Sequence, residues 1–194
     1  MAAQEKPRIF QDGQDMVLSI GLLVLVMFVS VGFTGLCTFN PGAPENGPVQ
    51  EVDAKTFTDM EARSVTYPVR YPEMPEGWVT NSARRSMIGG EPAPVIGWVT
   101  PDTGYVAMTQ TSADLTEAIK AIDEDPRQNT DTVRIAGEDV QKYTSEERDV
   151  RDVWAVDLDD VRLVFTGAGT DAEFEELIST AIDTAPINTS VPVD

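Results

Sequence analysis

Hydrophobic and polar positions divide the chain into an uncharged block, a proline-rich spacer and a longer patterned remainder. From Met16 to Phe39, 24 residues (MVLSIGLLVLVMFVSVGFTGLCTF) pass without a charge. As a helix rising about 1.5 Å per residue they cover roughly 36 Å, enough to cross a ~30 Å hydrocarbon layer with some tilt. The reading is a transmembrane helix at 16–39, preceded by a short segment at 1–15. Lys6 and Arg8 lie before this block, and the next basic residue after it is Lys55. The positive-inside bias then puts the N-terminus in the cytoplasm and the remainder outside. A cleaved signal peptide fits less well, because apolar residues continue past Ser30-Val31-Gly32. A lipoprotein signal fails because Leu36, not a small residue, precedes Cys37. Ser30 and Thr34 form a small-xxx-small pair that could admit another helix closely.

Residues 40–52 read as a semi-extended linker, since Asn40 to Gln50 holds three prolines and two glycines. Residues 53–186 read as one extracytoplasmic domain, followed by a loose tail at 187–194. Within the domain, Asp53 to Arg63 has helical composition, and Pro68, Pro72 and Pro75 break the chain into extended pieces. Gly77-Trp78-Val79-Thr80 and Gly97-Trp98-Val99-Thr100 look like strands. The second leads through the turn sequence Pro101-Asp102-Thr103-Gly104 into Tyr105–Thr111, whose alternation makes it the hairpin partner. Leu115, Ala118, Ile119 and Ile122 share one face of a short helix ending before Pro126.

Further strands fit Thr132–Ala136 and Val140–Thr144, and a hairpin fits Val153–Leu158 with Val161–Thr166 around Asp159-Asp160. Thr170 and Glu173 form a capping box ahead of Phe174, Leu177, Ile178, Ala181 and Ile182, which share one face up to Pro186. Hairpins with singly inserted helices predict an α+β fold, an antiparallel sheet with helices packed on one face.

Composition narrows the function. There is no histidine and one cysteine, Cys37, inside the apolar block, so the Ser–His and Cys–His nucleophile pairs, intrachain disulfides and cysteine metal sites are excluded. Net charge is −19; without residues 1–44, 30 acidic face 12 basic residues, leaving −18. Such a surface repels phosphate backbones, which argues against nucleic acid as a partner and favours basic proteins or loosely held cations.

Individual motifs add little chemistry. Gly167-Ala168-Gly169-Thr170-Asp171-Ala172 matches the dinucleotide GxGxxA outline, but about 22 residues follow, too few for a second parallel strand. It reads as a tight turn before a capped helix. Asp157, Asp159 and Asp160, with Asp123, Glu124 and Asp125, lack the spacing and glycine of a calcium loop and read as solvated turns. Trp78, Trp98 and Trp154 with Tyr105 are core aromatics first and pocket walls second. Adjacent Glu175 and Glu176 point differently along a helix and make no acid–base pair, and Arg84-Arg85 fits a strand edge. No catalytic, cofactor or metal residue is assigned, no cofactor is expected, and the protein is expected not to be an enzyme.

Several stretches carry a family resemblance: Gln11 to Ser19 (QDGQDMVLS) before the apolar block, Met74-Pro75-Glu76-Gly77-Trp78, Gly97-Trp98-Val99-Thr100-Pro101 with Gly104-Tyr105, and Val164-Phe165-Thr166-Gly167. Together they resemble an uncharacterised actinobacterial family of single-pass membrane proteins with a small extracytoplasmic domain of unknown function. The Pro-Glu-Gly-Trp segment and the strand–helix order also resemble the Mog1/PsbP type of α+β sandwich, whose members are commonly accessory or lipid-binding proteins. The absence of a catalytic constellation, the single short anchor and the strong acidity lead to the expectation of a non-catalytic accessory subunit of an inner-membrane complex, and the actinobacterial resemblance makes the cytochrome bc1–aa3 respiratory supercomplex the named candidate partner. The alternative is a free-standing extracytoplasmic domain that binds a lipid or small ligand.

Overall fold

A computed structural model describes residues 8–34 and 49–188, except 123, 124, 126 and 148. The chain forms two compact units, 1–47 and 48–194. In the first, α1 runs Arg8–Thr34 and presents Met16 to Ser30, 15 consecutive residues, with exposed side chains. Of the expected transmembrane helix at 16–39, residues 16–34 are helical within α1, and 35–39, Cys37 among them, lie outside the described residues. Among the described residues no helix is long and apolar enough to cross a membrane.

The second unit is α+β. Its elements are α2 (Ala54–Glu61), β1 (Val79–Ile88), β2 (Glu91–Val99), β3 (Tyr105–Thr111), α3 (Leu115–Lys120), β4 (Gln128–Ile135), β5 (Glu138–Thr144), β6 (Val153–Asp157), β7 (Arg162–Gly167) and α4 (Asp171–Asp183). The seven strands form one sheet in the order β1-β2-β3-β7-β6-β5-β4, and all neighbours are antiparallel. Two meanders, β1–β3 and β4–β7, thus meet where β3 pairs with β7. Strand β3 spans the predicted residues, and its turn from β2 closes with Thr100 N–H donating to the Gly104 carbonyl at 3.0 Å.

The pleat sends alternate residues to opposite faces. On one face Ile96, Trp98, Val106, Met108, Trp154, Val156, Leu163 and Phe165 build the main core under α2 and α4. The capping box of α4 forms as expected: Thr170 N–H donates to Glu173 Oε2 at 2.6 Å and Thr170 Oγ1 accepts from Glu173 N–H at 3.4 Å. Phe174, Leu177, Ile178 and Ala181 point into the core, and the Phe174 ring stacks on Trp154 at 5.9 Å.

One expectation is overturned: the helices do not share a single face. Ala118, with Leu115, Ile119 and Ile122 of the α3 stretch, packs on Val153, Ala155 and Val164, which point away from the main core. The cause is topological. The chain leaving β3 in the sheet's centre reaches β4 at its far edge by crossing the second face, and both faces of β6 are apolar and need cover.

The segment from Tyr67 to Pro72 lies buried or half-buried against the main core. Ile187 and Asn188, expected in the tail, are tied to it: Ile187 N–H donates to the Val69 carbonyl at 2.8 Å, and Asn188 Oδ1 accepts from Val69 N–H at 2.7 Å.

Candidate functional site

Most sequence-level candidates are placed in structural roles. Gly167 begins the turn out of β7 with φ +153, and a Cβ there would overlap the Tyr105 carbonyl oxygen and sit 2.9 Å from Val106 Cα. Close approach of β3 therefore accounts for the first glycine of the GxGxxA run. The second, Gly169, faces Val106 Cγ2 and Glu173. Since every strand pairing is antiparallel, the run does not open a dinucleotide-binding βαβ unit.

The carboxylates around Asp159 are turn residues. Asp157 Oδ1 accepts from Asp159 N–H at 2.9 Å and also meets Arg162 Nε at 2.9 Å. Asp123 and Glu124 lie outside the described residues. Among the described residues, no group of three or more acidic, cysteine or histidine side chains is placed to hold a metal ion. Glu175 and Glu176 are exposed. Arg84 and Arg85 lie on the edge strand β1, as their reading as a strand edge expects.

The aromatic residues separate into three places. Tyr105 lies on the face opposite Trp98, its hydroxyl over Gly97 and 3.0 Å from Ser82 Oγ. Trp154 is buried and borders a small hollow of about 270 Å³ near the start of α4. Lys142, opposite Trp154 across the strands, sets its ammonium 4.7 Å from that ring, 2.9 Å from Asp171 and 3.4 Å from Asp152. Burial lowers the Lys142 pKa, but the two carboxylates outweigh it and raise it overall.

Trp78 and Trp98 do come together. They line a cleft of about 610 Å³ between the start of α2 and the chain approaching β1. Trp98 is 1% exposed and forms the floor with Thr80; Tyr71, Met74 and Trp78 are half-buried walls packed on the main core. The Tyr71 hydroxyl lies 3.4 Å from Thr80 Oγ1. Glu51, Asp53 and Glu73 stand at the rim with a single cation, Lys55, whose ammonium is 6.0 Å from the Tyr71 ring centroid. Asp53 is the N-cap of α2: its Oδ1 accepts from Thr56 N–H at 3.0 Å. That backbone bond first, and the Thr56 hydroxyl second, hold the Asp53 carboxyl below the usual carboxylate range.

Sequence reading found the tryptophans of this cleft but not Lys55, Tyr71 or Glu73. The prolines at 68, 72 and 75 were its one signal, because they keep the chain extended as it crosses the sheet.

Compared with known proteins, residues 8–181 match the family model described as protein of unknown function (DUF4245), and the chain belongs to that family. No curated protein and no solved structure matches it.

Proposed function

We propose that this member of the DUF4245 family is a non-catalytic accessory subunit of a membrane protein complex, anchored through α1 with its N-terminus in the cytoplasm and its α+β domain outside the cell membrane. The observation that carries the proposal is the surface of α1. Leu22, Leu23, Val24, Leu25 and Val26 follow one another at 66%, 70%, 43%, 59% and 51% exposure. At 100° per residue, these five circle the helix completely. A helix that is apolar all round needs cover on every side, from lipid or from neighbouring helices. Each large side chain left in water forgoes about 1.5–3 kcal/mol of burial.

The acidic domain complements this role. A net charge of −18 beyond residue 44 suits a partner presenting basic surface, and it repels nucleic acid and anionic lipid headgroups. Among membrane assemblies, the cytochrome bc1–aa3 respiratory supercomplex is the specific candidate, on the family resemblance of the sequence.

The test is affinity purification of the tagged full chain from native membranes in mild detergent, with co-purifying proteins identified by mass spectrometry. Recovery of a fixed, stoichiometric set of membrane subunits supports the proposal, and cytochrome subunits among them would name the complex. Recovery of the chain alone refutes the accessory role, and its appearance in the soluble fraction refutes the anchor.

A further inference from the structure

We infer that the cleft beside α2 binds an organic ammonium group, with the ammonium set against the Tyr71 and Trp78 rings and the rim carboxylates of Asp53 and Glu73 supplying the opposite charge. This narrows the ligand-binding alternative left open by the sequence to one chemistry. It stands apart from the accessory-subunit proposal, since an anchored subunit could carry such a site or lack it.

Three independent features converge on this chemistry. The first is shape: a cleft of about 610 Å³ has room for a small organic molecule, and its floor, with Trp98 at 1% exposure, belongs to the rigid core. The second is the pairing of aromatic walls with an acidic rim. Tyrosine and tryptophan rings attract cations through their faces, and methylated ammonium groups are bound in this way. Three rim carboxylates against one ammonium leave the opening negative, which disfavours an anionic ligand and draws in a cationic one.

The third feature is Lys55. Its ammonium lies 6.0 Å from the Tyr71 centroid, at the outer limit of a cation–π contact. The protein thus already places a cation of its own toward this ring. A ligand ammonium would compete with Lys55 for the ring and be repelled by it. Removing Lys55 should therefore strengthen binding, an effect opposite to that expected for an ordinary contact residue.

The shared chemistry has two possible sources, a free ammonium compound or the headgroup of a choline lipid. Both can be tested on the full chain in a maltoside detergent, with tryptophan fluorescence and calorimetry as readouts. Choline is expected to bind saturably, and its uncharged carbon isostere 3,3-dimethylbutanol at least about tenfold more weakly, since it lacks the charge that both the aromatic faces and the rim carboxylates attract. Lys55→Ala should tighten choline binding about three- to tenfold, and Glu73→Gln should weaken it by a similar factor, each within the ~1.4 kcal/mol that corresponds to tenfold.

A short-chain phosphatidylcholine that binds more tightly than choline identifies the headgroup as the source; weaker binding identifies the free compound. The inference is overturned if choline fails to saturate both the wild type and Lys55→Ala, if the neutral isostere binds equally well, or if Lys55→Ala binds more weakly. None of these results bears on co-purification with membrane subunits, so the two proposals fail separately.

Discussion

Glu61 and Arg85 join α2 to the edge strand β1 through two parallel hydrogen bonds, Arg85 Nε donating to Oε2 at 2.8 Å and Nη2 to Oε1 at 2.7 Å. The two ends are unequal. The Glu61 side chain is 5% exposed, and the Arg85 side chain 48%.

Unequal burial predicts an unequal response. Arg85→Ala leaves a carboxylate buried without its partner, whereas Glu61→Gln leaves a guanidinium that water can solvate. Thermal denaturation should show a larger loss of midpoint for Arg85→Ala than for Glu61→Gln. The double variant should be more stable than the sum of the single losses implies. Equal losses, or simple additivity, would show that the pair does not hold α2 to the sheet.

Gly167→Ala tests whether the glycine run before α4 is architectural. The added methyl group would run into the Tyr105 carbonyl and crowd Val106 Cα, both main-chain atoms of a central strand. The same Tyr105 oxygen accepts from Ala168 N–H at 2.7 Å, so it has little freedom to retreat. We expect a loss of about 2–3 kcal/mol in urea unfolding, the scale of an overpacked core. A loss below about 0.5 kcal/mol, the ordinary range of surface substitutions, would contradict this reading.

The elements legible in the sequence are those whose signals are local. The α4 capping box needs only Thr170 and Glu173, and β3 needs only its own alternation with a turn in front. The face taken by α3 was not local information. Val153, Trp154, Ala155 and Val156 form an unbroken apolar run buried on both sides. Such a run tells of two covered faces but not of which helix covers each. The cleft was less legible still: its walls and floor come from residues 51–55, 71–80 and 98, which only the sheet brings together.

Glu173 should give the domain a measurable acid sensitivity. Burial pushes its pKa up, but hydrogen bonds from Thr100 and from the Thr170 N–H and hydroxyl outweigh this and hold it below its ordinary value of 4.5. A carboxyl depressed in the folded state stabilises the fold above its unfolded pKa and loses that contribution as pH falls through the folded one. Glutamine at the same capping position keeps the size and an acceptor. The midpoint difference between wild type and Glu173→Gln should therefore be constant at neutral pH and shrink as pH falls below about 4.5. A difference that stays constant down to pH 3 would remove Glu173 from the acid response.

Gln110 shows how a polar residue in an alternating strand can become the fastening of a core. It points to the same face as Val106 and Met108 and is fully buried. Its two amide ends grip one residue of the overlying segment: Oε1 accepts from Arg70 N–H at 2.8 Å, and Nε2 donates to the Arg70 carbonyl at 2.8 Å. Tyr67 adds a bond nearby, its hydroxyl donating to the Pro92 carbonyl at 2.6 Å with the Gln110 carbonyl 3.0 Å away. Gln110→Leu keeps the volume but strands a main-chain donor and acceptor in the interior, at about 1–3 kcal/mol each before relaxation. Tyr67→Phe removes one hydroxyl and strands no N–H donor, so it should cost about 1 kcal/mol, the net worth of an ordinary hydrogen bond. Urea unfolding should rank Gln110→Leu well below Tyr67→Phe, and the Arg70 amide should exchange its hydrogen faster in the former alone. If Gln110→Leu matches the wild type in both measurements, the segment that carries Tyr71 to the cleft is held by its apolar contacts rather than by this clamp.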